Sequence, residues 1–297
     1  WYIVRDIMYL YKFFNLILHL PNKLIFPLKN FDKNILNNFQ HKGYLYRNFH
    51  NDKTDLFDRI NLFINQKLDL NSIRDKSLKK NPNDYSVDVY DFLSENLKSE
   101  ITNYLNNPFF LKTASSCLGY SVKFRRVLLL YNFYNSNNSE EEGPKMYHRD
   151  SDSLQDQIKL FILINDIDEN NGMFYFVPKF LIKDYLRFKL LEDRKNLHVS
   201  NKWRISDNQL NNFIKNSIIF NKVKRFKGTR KEGLFIDTSI IYHKGGYVKE
   251  PNKYRILLQT VYTPKLSLSY WNEGNSRILT YFQTKLTSLK NKLRKEI

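Results

Sequence analysis

The sequence predicts a single α+β domain, with helices first and an antiparallel barrel or sandwich of short strands after them. Three observations carry this. Up to Leu118 the apolar residues recur at helix spacing, as in Leu56, Ile60, Phe63 and Ile64. Beyond Ser121 they become contiguous apolar runs separated by turn-forming residues, as in Val127-Leu128-Leu129-Leu130-Tyr131. The chain of 297 residues carries 23 Phe and 20 Tyr against 9 Gly and 8 Pro, which suits a β-rich core filled by aromatics. No internal repeat interrupts this order, so helices and strands belong to one architecture.

Three stretches follow from the pattern. Residues 1–28 form an apolar N-terminal helical segment that Pro21 interrupts. Lys12, Asn15 and His19 break it too often for a membrane span, leaving a helix packed on the domain or one resting on a membrane surface. Residues 29–270 form the main domain, and 271–297 a basic C-terminal helix. Within the main domain, Asn30–Phe39 reads as a short helix, and Gly43 supplies a turn into a strand that reaches Phe49. Asp55–Lys67 reads as a helix, Ser72–Asp84 as a polar loop, Val87–Asn106 and Pro108–Leu118 as two further helices. Ser121–Phe133 turns to strand. Ile158–Asp166 and Met173–Val177 are apolar runs joined by the Asx-rich turn Asp166–Gly172, a pattern that predicts a hairpin. A polar insertion follows, with a helix near Asp207–Lys215. Val223–Phe226, Gly233–Ile236, Ile240–Tyr242 and Tyr254–Tyr262 complete the strands.

Charge and cysteine content narrow the function classes. With 48 Lys and Arg against 30 Asp and Glu, the net charge is +18. That favours contact with polyanions in general. The basic residues are scattered, however, and no nucleic-acid motif is present, so nucleic acid is not the expected partner. Peripheral membrane contact is open to the N-terminal segment. The single cysteine, Cys117, sits among small and apolar residues and reads as a buried structural thiol. One unpaired cysteine fits a reducing cytoplasm, and no cleavable signal peptide is visible.

The chemistry concentrates at Tyr147-His148-Arg149-Asp150. In extended backbone, residues two apart share a face, so His148 and Asp150 aim together while Arg149 points away. His243 closes the strand-like run Phe235–Tyr242 ahead of a glycine turn, Gly245-Gly246, well placed for a barrel mouth. Two imidazoles and one carboxylate form the set that holds Fe(II) and leaves coordination positions open. Of the remaining histidines, only His50, near Asp52, offers a competing acid pair. Arg255 lies within the apolar strand that starts at Tyr254. A guanidinium there is costly without an anion, and a carboxylate is its best partner. The alternative is an internal ion pair, with Asp237 as the candidate.

Taken together, Tyr147-His148-Arg149-Asp150, Lys159-Leu160-Phe161-Ile162, Asn165 to Gly172, Val177-Pro178, Asp237-Thr238, His243-Lys244-Gly245 and Arg255 resemble the phytanoyl-CoA dioxygenase-like family. The resemblance spans residues 35–265 in order, with Gly43-Tyr44 matching the opening motif. It implies a double-stranded β-helix (jelly-roll, cupin-like) core in an Fe(II)/2-oxoglutarate oxygenase. It further implies that His148, Asp150 and His243 bind iron and that Arg255 holds the distal carboxylate of 2-oxoglutarate. Lys159, Asn165, Thr238 and Gln259 are further contact candidates, with ordinary strand polarity as their alternative. With O2, such an enzyme converts 2-oxoglutarate to succinate and carbon dioxide while hydroxylating its substrate, which the resemblance implies is a small molecule or a lipid. Two departures stand out: Lys179-Phe180-Leu181 replaces the Gly-Ser-His stretch usual after Val177-Pro178, and Gly245 stands where some members carry a hydroxyl. Asp150 favours hydroxylation over halogenation, which goes with a small residue there. The competing expectation is a non-catalytic jelly-roll protein that binds a ligand or a membrane surface.

Overall fold

The computed structural model describes residues 32–52, 54–137, 145–150, 157–181, 204–205 and 223–265. The helical segments expected at 1–28 and 271–297 and the helix expected near Asp207–Lys215 lie outside the described residues.

Five helices open the described chain: α1 (Lys33–Lys42), α2 (Leu56–Lys67), α3 (Leu70–Lys80), α4 (Glu95–Leu105) and α5 (Pro108–Leu118). Local chemistry sets their ends. The Asp32 carboxylate accepts from the backbone N–H groups of Asn34 and Ile35, which starts α1. Gly43 ends it in the left-handed region, at φ 77°, where a side chain would be strained. Asn107 caps α5 and Pro108 takes its first turn, where no N–H is needed. None of the described helices is long and apolar enough to cross a membrane.

The strands form two antiparallel sheets. The larger comprises β1 (Tyr44–Asn48), β2 (Ser86–Asp88), β3 (Val122–Phe133), β5 (Ile158–Leu163), β9 (Glu232–Asp237) and β11 (Tyr254–Pro264), in the order β1-β9-β5-β11-β3-β2. The smaller comprises β4 (Tyr147–His148), β6 (Phe174–Phe176), β7 (Arg204–Ile205), β8 (Lys224–Phe226) and β10 (His243–Gly245), in the order β7-β4-β10-β6-β8.

Alternation along the larger sheet divides the core in two. Leu160, Ile162, Phe235, Ile256, Leu258 and Tyr262 face the helices, where they pack with Phe57, Ile101, Leu105 and Phe110. Phe161, Leu163, Leu234, Ile236 and Leu257 face the other way and pack against Phe174, Phe176 and Phe226 of the smaller sheet. Each such side chain contributes about 2 kcal/mol by leaving water. β11 lies between β3 and β5, and from Arg255 onward both its faces are buried, one by the helix-side cluster and the other by the smaller sheet. The Tyr262 hydroxyl donates to the Leu105 carbonyl at 2.7 Å, tying that strand to α4.

The structure corrects four expectations. Ser72–Asp84 is largely helix: Asp69 caps α3 at the Ser72 N–H, and its half-buried Leu70, Ile73 and Leu78 pack on the helix-side core. Val87–Asn106 divides into β2, a 3-10 turn at Tyr90–Phe92 and α4. The Asp88 carboxylate accepts from the Tyr90 and Leu129 N–H groups, which fixes the turn and keeps the helix from starting earlier. The runs at Ile158–Asp166 and Met173–Val177 are not a hairpin, because β5 pairs with β9 and β11 while β6 pairs with β10 and β8. Their connection crosses between sheets because Asn165 and Asn171 both bond the Tyr254 carbonyl, pinning the turn to β11. Finally, Ile240–Tyr242 is not a strand. The Asp237 side chain accepts from the Ser239 N–H and its carbonyl from the Ile241 N–H, curling the chain so that β10 begins at His243.

Candidate metal centre

His148 ends β4 and His243 begins β10, and the two are direct register partners across the smaller sheet. Their rings lie 4.5 Å apart, centre to centre. Asp150 follows two residues after His148, and its N–H donates to the Thr238 carbonyl at 2.9 Å. One ligand atom from each of His148, Asp150 and His243 lies within 4.8 Å of the others. Asp150 Oδ1 is 4.0 Å from His148 Nε2 and 3.8 Å from His243 Nε2. Among the described residues this is the one His/Cys/Asp/Glu group that could hold a metal ion. The competing pair does not converge: His50 contacts Thr229 Oγ1, while Asp52 accepts from the Tyr104 hydroxyl.

The hydrogen bonds behind the imidazoles decide what they offer. His148 Nδ1 lies 2.8 Å from the Met146 carbonyl, and His243 Nδ1 lies 3.0 Å from the Ile241 carbonyl. A carbonyl only accepts, so each Nδ1 carries the proton, and in the neutral ring the Nε2 lone pair faces Asp150. His243 is fully buried, and burial pushes its pKa down to about 3 against the pull of Asp150, which keeps the ring neutral. Phe174 covers it at 5.4 Å. Burial pushes the Asp150 carboxyl up, but the Lys159 ammonium and the hydrogen bonds from Lys159 and Thr238 outweigh it and hold the group below the usual carboxylate range. A neutral imidazole pair facing an ionised carboxylate is the donor set a divalent cation requires. The three residues fit such an ion.

The second oxygen of Asp150 is held from behind. Lys159 Nζ lies 2.7 Å from Oδ2, and Gln157 Nε2 donates to it at 3.0 Å. The same Gln157 nitrogen reaches Thr238 Oγ1 at 3.1 Å. Lys159 and Thr238 are therefore placed around the carboxylate. Gln157 was not singled out in the sequence. Its signal was parity, since it shares a face with Lys159, two residues on.

Arg255 opens the buried part of β11 with 4 % exposure. Nε donates to Asn132 Oδ1 at 3.1 Å, and an Nη donates to the Gly172 carbonyl. Among the described residues no carboxylate pairs with it, Asp237 included. Burial pushes its pKa down to about 10, with Tyr85 pulling the other way. A side chain added at Gly245 would meet an Arg255 Nη 3.5 Å from its Cβ. Gly245 is two residues from His243 on β10 and shares its face, so the guanidinium sits about 7 Å along the strand from the histidine. A buried cation with only neutral acceptors beside a metal-competent triad is suited to a carboxylate ligand. Asn165 brackets this arginine by donating to the Tyr254 carbonyl at 3.0 Å and accepting from the Ile256 N–H at 2.7 Å. Gln259 lies on the same face of β11, four residues on, and is buried.

No protein-family model matches the chain, and no curated protein matches it. Solved structures do. The epimerase SnoN, in complex with Fe3+, alpha ketoglutarate and nogalamycin RO, is 11% identical with a TM-score of 0.47, over 78% of this chain and 82% of that one. EctD from S. alaskensis with bound Fe is 11% identical with a TM-score of 0.47, over 80% and 78%. EvdO2 from Micromonospora carbonacea var. aurantiaca, complexed with 2-oxoglutarate, is 9% identical with a TM-score of 0.47, over 82% and 96%.

Proposed function

We propose that this chain is an Fe(II)/2-oxoglutarate-dependent dioxygenase of the phytanoyl-CoA dioxygenase-like kind, with residues 29–270 as its jelly-roll oxygenase domain, and that it hydroxylates a small-molecule or lipid-like substrate. The observation that carries the reading is the pairing of two features beside the β10 face that His243 and Gly245 share. Two imidazoles and a carboxylate converge within 4.8 Å. Beside them a buried guanidinium has, among the described residues, neutral partners only.

In this reading His148 Nε2, His243 Nε2 and Asp150 Oδ1 hold the iron. Iron and 2-oxoglutarate together supply oxidative decarboxylation coupled to transfer of one oxygen atom from O2 to the substrate. The chain supplies the setting. Arg255 holds the far carboxylate of 2-oxoglutarate, with Asn132 aligning the guanidinium from behind. Gly245 leaves the space between arginine and histidine unfilled by side chain. Phe174, Phe161 and Leu257 keep the inner wall dry, which strengthens every charge interaction within it.

The test is succinate formation from 2-oxoglutarate by purified protein, with and without Fe(II). Turnover that needs Fe(II) and disappears in His148→Ala supports the proposal. Metal-independent turnover, or full activity in His148→Ala, overturns it.

A further inference from the structure

Lys159 is unusual in its place. It is an ammonium on the inward face of β5, in contact with the one carboxylate of the triad. Its side chain is 12% exposed and that of Asp150 16%, so water screens the pair weakly. Any cation held through Oδ1 must share that carboxylate with Lys159. Gln157 grips the same Oδ2 without charge, and the Asp150 N–H is separately anchored on Thr238. The carboxylate thus keeps its orientation without Lys159, and what the lysine adds is positive charge.

We propose that Lys159 is a positioning residue that sets the charge preference of the metal centre: it weakens cation binding overall and disfavours a trivalent ion more than a divalent one, so that bound iron stays ferrous. The inference rests on the triad being the iron site. Repulsion scales with the product of the charges, so the penalty on Fe(III) is about half as large again as that on Fe(II). In the metal-free protein the same ammonium compensates the buried carboxylate, and a metal ion must displace that compensation.

The experiment uses the full chain as wild type, Lys159→Met, Lys159→Gln, Lys159→Arg and His148→Ala. Co(II) affinity is read from the visible absorption of the bound ion, and the Fe(III)/Fe(II) midpoint by spectroelectrochemistry. Lys159→Met should bind Co(II) more tightly, on the order of tenfold, and its midpoint should fall. Lys159→Arg, which keeps the charge, should stay near wild type. Lys159→Gln, which keeps a hydrogen bond but not the charge, should follow the methionine variant and replaces it if that variant fails to fold. Unchanged or weaker Co(II) binding with an unchanged midpoint in the neutral variants overturns the proposal while leaving the iron site standing. Absence of any Co(II) signal that His148→Ala removes overturns both.

Discussion

Replacing Arg255 by methionine separates a ligand-binding arginine from a structural one, because the two roles predict opposite balances. Burial lowers the arginine pKa from 12.5 to about 10, which corresponds to a cost of about 3 kcal/mol for keeping it charged. Methionine removes that cost and retains most of the apolar stem. It also leaves Asn132 Oδ1 and the Gly172 carbonyl without their donor, at about 1–3 kcal/mol each. These effects oppose each other, so ligand-free Arg255→Met should lie within about 3 kcal/mol of wild type in urea unfolding. The response to 2-oxoglutarate should differ far more. A ligand at a thousand times its Kd stabilises by about 4 kcal/mol. Losing the partner of a buried carboxylate costs about 3–5 kcal/mol, which cancels nearly all of that gain. The assay is urea unfolding of both proteins with Mn(II), with and without millimolar 2-oxoglutarate. An equal ligand-induced gain in wild type and Arg255→Met would refute the reasoning. So would a ligand-free loss well beyond 4 kcal/mol, which would mark the arginine as a structural bolt.

Further outcomes follow from the same geometry. Asp150→Asn removes the one anionic donor of the triad and should weaken Co(II) binding at least about a hundredfold in equilibrium titration. The metal-free protein should lose stability as pH falls from about 6.5. His243 has a folded pKa of about 3 against 6.5 unfolded, so between those values the unfolded chain binds the extra proton and folding is disfavoured. Asp150, also shifted down, adds to the loss below about 4. Urea midpoints from pH 7 to 4 should therefore fall, and less steeply in His243→Leu. Gly172 has φ 82°, and a side chain there would meet the Gly246 carbonyl at 2.8 Å, so Gly172→Ala should destabilise by about 2 kcal/mol or more and also weaken 2-oxoglutarate binding, since its carbonyl holds Arg255. Cys117 is 3 % exposed and burial pushes its thiol up, so a thiol reagent should label it only on unfolding.

The sequence made the ligands easier to read than the path that joins them. His148 and Asp150 were legible because a two-residue spacing in extended chain is a statement about direction, and direction is local. Arg255 was legible for a different reason: charge inside an apolar strand demands an explanation wherever the strand lies. Sheet membership is not local. The runs around Leu160 and Tyr175 carry the strand pattern that a hairpin would, and what separates them is two asparagine side chains reaching the Tyr254 carbonyl. Nothing in the neighbourhood of Asn165 or Asn171 advertises a partner that far along the chain. The same holds for His243, which the apolar run before it suggested as the end of a strand. A side chain-to-backbone turn at Asp237 curls that run instead, and the strand starts at the histidine. This relocation matters to function. As the first residue of β10, His243 pairs with His148, and Gly245 falls two residues further on the same face, beside Arg255. Had the strand ended at the histidine, the glycine would have been a turn and the arginine would have had no strand face to share. The metal-binding and carboxylate-binding halves of the site are thus joined by three residues of backbone, His243-Lys244-Gly245, and a one-residue slip in that strand would separate them.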